Sequence, residues 1–195
     1  MTHHLTKPIR AIHFIVLASL LTLLSPAVAQ GFTVTTLTEL KSLAETGDSS
    51  AQLSLGLMYE FGQGVLQDYA EAVKWYRLAA EQGEVDAQFN LGGLYESGQG
   101  VLQDYKEAVK WWRLAAEQGE AMAQTNLGYM YHYGQGVLQD NTLAHMGYNI
   151  GSANGNELGG TNRDKISKEM TPAAIEKAQA MARECMNSGY TKCGY

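Results

Sequence analysis

Few residues in this chain combine the type and spacing that catalysis or metal binding requires. His132 and His145 are the two histidines outside the N-terminal segment. Two imidazoles without a third ligand do not make a zinc site. The zinc-protease pattern H-E-x-x-H, the hydrolase pattern G-x-S-x-G and the S-x-x-K pattern of penicillin-recognising enzymes are absent from the sequence. The sequence therefore predicts no catalytic residue, no metal and no cofactor.

Glycine-rich loops are the second feature that could support chemistry, because such loops can bind phosphate. The segment GQGVLQD occurs three times, starting at Gly62, Gly98 and Gly134. In a phosphate-binding loop the glycines follow a strand, and G-K-[ST] completes the motif. Here each segment follows a helical pattern and no G-K-[ST] occurs. These glycines are expected to shape turns and not to bind nucleotides.

Residues 1–29 have the pattern of a cleavable signal peptide. Lys7 and Arg10 give a basic start, an apolar stretch continues to Leu24, and small residues precede a cleavage site after Ala29. We expect export to the periplasm or secretion, without stable membrane insertion once the segment is removed. An uncleaved amphipathic anchor is the alternative.

Charge limits the partners that the exported protein could bind. After residue 29 the chain holds 12 basic against 20 acidic residues, a net charge of −8. Such a surface repels phosphate backbones, and no cluster of Lys or Arg opposes it. Nucleic acid and anionic lipid are therefore not expected partners.

The two cysteines, Cys185 and Cys193, lie near the end of the chain. An even pair in an exported protein indicates a disulfide. Gly189 can end a helix between them, which would let the tail fold back. Two free thiols are the alternative.

An internal repeat of 36 residues is the strongest pattern in the sequence. Segments 48–83 and 84–119 align without gaps and are identical at 26 of 36 positions, and 120–155 is a third, more divergent copy. A fixed period of this length is typical of solenoids and propellers. The stretch 69–82 is rich in Ala, Glu, Lys and Leu and contains no Gly or Pro, which predicts a helix. Each repeat is therefore expected to contain a helix A, a glycine-bounded loop and an antiparallel helix B.

The spacing of small, aromatic and capping residues within one repeat is distinctive. In the first copy these positions are Ala51, Leu55, Gly56, Tyr59, Gly62, Gly64, Val65, Asp68, Ala72, Trp75, Ala79, Ala80 and Gly83. This spacing resembles the Sel1-like repeat, a relative of the tetratricopeptide repeat. The resemblance implies an all-α, right-handed α-solenoid that mediates protein–protein contacts, with an N-terminal cap helix at 30–47 and capping helices plus a disulfide-pinned tail at 156–195.

Positions that recur in every copy are expected to build the scaffold. Gly56, Gly92 and Gly128 fall inside helix A, where glycine costs about 1 kcal/mol relative to alanine. Their recurrence predicts a close helix–helix approach that a Cβ would block. Trp75 and Trp111 are expected to bury large area between repeats.

Helix A also has a variable side, which is the candidate ligand-binding face. At 100° per residue, positions that are identical between the first two copies cluster on one side and the variable positions on the other. In tetratricopeptide-type solenoids helix A lines the concave surface, and exposed aromatic residues are favoured anchors. Neutral drift on an exposed face is the alternative. The nine residues of this candidate face are Ser54, Leu57, Phe61, Asn90, Gly93, Ser97, Asn126, Tyr129 and Tyr133.

Together these features predict a non-enzymatic, exported adaptor of the bacterial cell envelope that binds a protein or peptide; its oligomeric state stays open. Some disulfide-rich exported relatives have been linked with β-lactam binding or hydrolysis. A weak β-lactam-binding or hydrolysing enzyme is therefore one alternative, and a secreted host-interaction factor is another.

Overall fold

The computed structural model describes the backbone of residues 26–195 and the side chains from residue 36 onwards. Most of the predicted signal peptide, residues 1–25, lies outside the described residues. The chain divides into two compact units, residues 1–40 and residues 41–195. In the described part of the first unit, the backbone from Pro26 onwards is helical.

Residues 26–195 form nine α-helices and one 3₁₀ turn, with no strand among them. The prediction of an all-α helical solenoid is confirmed: within residues 41–195, successive helix pairs stack on one another and two further helices follow them. None of these helices has the length and hydropathy to cross a bilayer. The helices are α1 Pro26–Glu45, α2 Ser49–Phe61, α3 Tyr69–Glu81, α4 Val85–Ser97, α5 Tyr105–Glu117, α6 Ala121–Tyr133, α7 Asn141–Ala153, α8 Glu157–Ile166 and α9 Pro172–Asn187, and the 3₁₀ turn is Ser167–Glu169.

The recurring loop residues set where helices begin and end. Each helix B begins after an aspartate, and the Asp68 carboxylate accepts the N–H groups of Ala70 and Glu71 at 2.9 and 3.1 Å. Each helix A ends at a glycine in the left-handed region, as at Gly62 with φ of 66°. The equivalent residues are Asp104 and Asp140, and Gly98 and Gly134.

Buried glutamines join consecutive repeats. Gln88 in α4 donates from Nε2 to the carbonyl oxygen of Ala80 in α3 at 3.0 Å, and its Oε1 accepts from Nε2 of Gln118 at 2.9 Å. Gln52 makes the equivalent bonds with Ala44 and Gln82 at the preceding joint, and Gln124 makes them with Ala116 and Asn154 at the following joint. For Gln52 the carbonyl belongs to the C-terminal end of α1, which therefore takes the place of helix B of a preceding repeat.

The glycines inside helix A lie beneath aromatic rings of helix B. A Cβ on Gly92 would fall 2.5 Å from Nε1 of Trp112, and one on Gly128 would fall 2.7 Å from Cδ1 of Tyr148. Such distances are far below ordinary van der Waals contact. The predicted close approach of helix B to the helix A glycine is thus present, and in each repeat the approaching group is an aromatic side chain of helix B.

Two of the hydrophobic clusters occupy equivalent places, between the first and second repeats and between the second and third, and an aromatic residue packs in or against each of them. Trp111, which is 6% exposed, packs in the first cluster, and Trp75 is also buried, as predicted. Gly147 occupies the position equivalent to Trp111 in the third repeat, and Tyr195 packs against the second cluster. The first cluster comprises Ala72, Val73, Tyr76, Ala79, Ala80, Ala87, Leu91 and Leu94, and the second comprises Ala108, Val109, Trp112, Ala115, Ala116, Ala123, Leu127 and Met130.

The C-terminal tail turns back after α9. Gly189 has a φ of 64°, and the turn brings Cys193 to Cys185 in a disulfide with Cα atoms 4.4 Å apart. That these two thiols are oxidised stays a prediction. Two residues beyond Cys193, the ring of Tyr195 stacks over that of Tyr131, with centroids 6.5 Å apart. The tail therefore lies on the second and third repeats.

Candidate binding groove on the helix A face

The nine predicted face residues lie on α2, α4 and α6, on the side opposite the buried residues of these helices. Phe61, Tyr129 and Tyr133 are 59%, 40% and 57% exposed. Ser97 is also exposed, and the half-buried members are Ser54, Leu57, Asn90, Gly93 and Asn126. Three aromatic rings are thus available to a partner on this face.

Some members of this face are engaged by the protein itself. Leu57 packs against the first hydrophobic cluster. The Oγ atoms of Ser54 and Ser97 donate to carbonyl oxygens one turn earlier in their own helices, at 2.8 and 2.9 Å. These three residues contribute to the scaffold, so the predicted face is not uniform along the array.

Between the first and second repeats, the polar side chains on the helix A face bond to one another. The Tyr76 hydroxyl donates to the Glu60 carboxylate, and the Asn90 side chain also bonds to Tyr76. Burial raises the pKa of Glu60, and the hydrogen bond from Tyr76 opposes that shift. Burial likewise raises the pKa of Tyr76, and the bond to Glu60 adds to the effect. Glu60 already has a partner in this network.

Between the second and third repeats, the same positions leave an opening. Trp112 stands where the first repeat has Tyr76, and its Nε1 donates to the Phe89 carbonyl oxygen at 3.1 Å. Glu96 and Asn126, the counterparts of Glu60 and Asn90, make no side-chain hydrogen bond within the part of the chain whose side chains are described. A cavity of about 300 Å³, here named the first cavity, lies at this place. Its lining residues are Phe89, Gly93, Glu96, Trp112, Asn126, Tyr129 and Met130.

A second cavity of about 220 Å³ adjoins the first and shares Tyr129 with it. The ring centroids of Tyr129 and Tyr133 are 4.5 Å apart, and His132 meets Tyr133 edge-on at the same distance. Burial raises the pKa of Tyr148, which also lines this cavity. The full lining is Tyr129, His132, Tyr133, Tyr148, Asn162, Lys165, Ile166 and Glu169. The two cavities form one groove with an aromatic centre, here named the helix A groove.

Charge is divided between the two kinds of helix. Helices α2, α4 and α6 contain no Lys or Arg, whereas Glu60 and Glu96 lie on them. The basic residues of the three repeats all lie on helix B: Lys74, Arg77, Lys106, Lys110 and Arg113. Near the groove, Lys165 of α8 is the basic residue that lines the second cavity.

The groove includes residues outside the nine that the sequence predicts for the face. Glu96 is identical to Glu60 in the first repeat, so it does not belong to the variable positions that define the predicted face. The available signal was the change from Tyr76 to Trp112, which removes the hydroxyl that donates to the carboxylate in the first repeat; the indole N–H that replaces it donates to the Phe89 carbonyl oxygen instead. Lys165 and the other α8 residues lie outside the repeats and carry no repeat signal.

The two histidines do not share a site. His132 lines the second cavity, whereas His145 is 1% exposed inside α7 and lines neither cavity. No group of three His, Cys, Asp or Glu side chains that could hold a metal ion occurs among the described residues. Recognition of a partner by aromatic and polar contacts is the chemistry that the groove supports best.

Comparison with known proteins agrees with this architecture. The Sel1 repeat profile matches residues 49–84, 85–120 and 121–146. A Sel1 repeat protein from Oxalobacter formigenes is similar in structure, with a TM-score of 0.61 and 40% identity, over 67% of this chain and 98% of that chain. No curated protein matches the chain significantly.

Two further solved structures share the fold. The c5321 protein, a protective antigen present in uropathogenic Escherichia coli strains and displaying an SLR fold, has a TM-score of 0.61 and 34% identity, over 79% of this chain but only 38% of that chain. Cysteine rich protein B of Helicobacter pylori has a TM-score of 0.51 and 19% identity, over 64% of this chain and 95% of that chain, which shows the fold alone. Sel1 repeat proteins generally mediate protein–protein interaction and are typically non-enzymatic scaffolds. With three matched repeats over half of its length, the chain belongs to the Sel1 repeat family.

Proposed function

We propose that this chain is a non-enzymatic, exported adaptor of the bacterial cell envelope that binds a protein segment in the helix A groove. The observation that carries the proposal is the pair of adjoining cavities on one face, with Tyr129 between them. Exposed tyrosines supply large contact area at low entropic cost and are frequent anchors of interfaces.

The shape and lining of the groove favour a peptide segment over a compact small molecule. Two cavities of about 300 and 220 Å³ lie side by side, and neither is deeply enclosed. Their walls mix aromatic rings with amide and carboxylate groups, as in grooves that hold alternate side chains of one extended chain. Several residues of a partner could therefore contact the protein at once.

Photo-crosslinking from the groove tests this function. A benzophenone amino acid at position 129 should capture a discrete partner from envelope extract. The same probe at Leu78 on helix B is a matched control, because Leu78 is 39% exposed and Tyr129 is 40% exposed. Tyr133→Ala should reduce the yield of the adduct from position 129. Capture of the same proteins with equal yield from both positions would rule out the groove as the binding site.

Export is the second part of the proposal, and it rests on the basic, apolar and small-residue pattern of residues 1–29. Cell fractionation with N-terminal analysis of the accumulated protein should find a chain that begins at Gln30 in the periplasm or the medium. A cytoplasmic protein with an intact N-terminus would contradict it. The same purified protein, incubated with nitrocefin, tests the β-lactam-hydrolysing alternative, and measurable turnover would favour that alternative.

A further inference from the structure

The first cavity contains a carboxylate, that of Glu96, whose hydrogen-bonding capacity the described residues of the protein do not use. Its counterpart Glu60 accepts a hydrogen bond from Tyr76, whereas Glu96 has no side-chain partner among the residues described. An ionised carboxylate that a partner covers must receive hydrogen bonds or an opposite charge, since its desolvation is otherwise costly. Any chain segment that fills the first cavity therefore has to supply a donor to Glu96.

The charge around this carboxylate selects the kind of donor. The helices that form the groove face carry no Lys or Arg, and the basic residues of the repeats lie on helix B. Glu96 therefore has no basic neighbour from its own or the adjacent helices A. A cationic group gains from this arrangement, an anionic group is repelled, and an apolar group leaves the carboxylate unpaired.

The walls of the first cavity suit a long cation with an apolar stem. Phe89, Tyr129 and Met130 line it beside Glu96. Gly93 adds room, because no atom lies within 4 Å of the place where its Cβ would be. Aliphatic stems pack against such walls, and a guanidinium stacks on an aromatic ring while its N–H groups reach a carboxylate.

We propose that the first cavity binds a basic side chain, preferably arginine, of an extended segment in the partner protein, with Glu96 accepting its hydrogen bonds and Tyr129 contacting its planar group. This inference rests on the proposed function, because it names the partner chemistry of the same groove. The partner segment is thus basic where it enters the space between the second and third repeats.

Selection from a display library of random twelve-residue peptides on the purified full-length protein tests the proposal. We expect the selected peptides to be enriched in arginine or lysine at one position. The tightest peptide is then synthesised twice, with arginine and with the neutral isostere citrulline at that position. Citrulline should weaken binding about tenfold or more.

Two variants of the protein distinguish a specific effect of the Glu96 carboxylate on peptide binding from an effect of the overall negative charge. In Glu96→Gln the difference between the arginine and citrulline peptides should fall below about threefold. Glu81→Gln makes the same change of charge at an exposed site on helix B, and it should leave the difference intact. Unchanged unfolding curves for both variants confirm that the fold is retained.

The possible results distinguish the two proposals. Peptides without a basic preference that still lose binding in Tyr129→Ala would overturn the role of Glu96 and leave the helix A groove in place. A basic preference that persists in Glu96→Gln would also overturn it. Failure to select any peptide that depends on Tyr129 would overturn both the groove and this inference.

Discussion

The hairpins α4–α5 and α6–α7 have helices of equal length and the same GQGVLQD loop, but they fill their interiors differently. In α4–α5, helix B contributes Trp111 to the neighbouring cluster. In α6–α7, Gly147 takes that position, and a Cβ there would lie 2.9 Å from the Gln124 carbonyl oxygen and 3.0 Å from the Gly128 nitrogen. At this position the second repeat packs a tryptophan ring, whereas the third repeat brings the backbones of α6 and α7 into close contact.

This difference explains why the C-terminal tail packs on the last repeats. With Gly147 in place of tryptophan, the second cluster lacks the ring that Trp111 gives to the first, and Tyr195 packs there. Cys193 lies two residues before Tyr195, so the predicted disulfide with Cys185 would hold the tail with this ring against the second cluster. The ring of Tyr195, from the C-terminal tail, thus packs against the cluster in which Gly147 takes the place of the repeat tryptophan.

The largest expected effect comes from removing either of the two rings. Trp111→Ala should lower the free energy of unfolding by about 3–5 kcal/mol, and Tyr195→Ala by about 2–3 kcal/mol, because each opens a hydrophobic cluster. Urea unfolding followed by circular dichroism measures both values.

Tyr195→Phe is the matched control for the ring. The Tyr195 hydroxyl is buried without a hydrogen-bond partner among the described residues, so its removal should not destabilise the protein. Reduction of the disulfide should weaken the tail in the same direction as Tyr195→Ala. A loss below about 0.5 kcal/mol in Tyr195→Ala would show that the tail does not replace the tryptophan.

Backbone contact in the third repeat gives the next effect. Gly147→Ala should destabilise the protein by about 1–3 kcal/mol, because the new methyl group meets the backbone of α6. Gly93→Ala in α4 is the control, since its Cβ would meet no atom within 4 Å, and it should stabilise by up to about 1 kcal/mol through helix propensity. Equal signs for the two variants in thermal unfolding would contradict the difference between the hairpins.

A buried histidine gives the smallest of these effects. His145 stands where the first two repeats have Val73 and Val109, and its Nδ1 has no hydrogen-bond partner in the described part of the chain. His145→Val should therefore stabilise the protein by about 1 kcal/mol at pH 7.

The advantage of the valine should grow on acidification. Burial lowers the pKa of His145 in the folded protein, and Arg163 lowers it further. Below the ordinary pKa of about 6.5 the unfolded chain takes up a proton that the folded chain does not, so the parent protein loses stability as the pH falls. Urea unfolding at pH 7.5 and 5.5 compares the two chains, and a constant difference would contradict a buried, neutral His145.

The repeat pattern predicted much of this fold because the features that build it recur at fixed spacing. Gly92 was expected to permit a close approach, and the ring of Trp112 makes that approach. The role of Tyr195 had no local signature, because a lone tail residue replaces a ring missing from another helix. The sequence did not predict Glu96 as a binding residue for a related reason. Whether its carboxylate has a hydrogen-bond partner depends on the residue opposite it in helix B and not on the glutamate itself.

The buried glutamine joints have a consequence for how such a protein can change in length. Each joint uses positions that recur every 36 residues, so a duplicated segment 84–119 would present matching donors and acceptors to both of its neighbours. Whole repeats could be gained or lost by duplication or deletion, because the hydrogen bonds between consecutive repeats would stay the same. The closing tail would travel with the last unit, and the surface open to partners would lengthen in steps of one repeat.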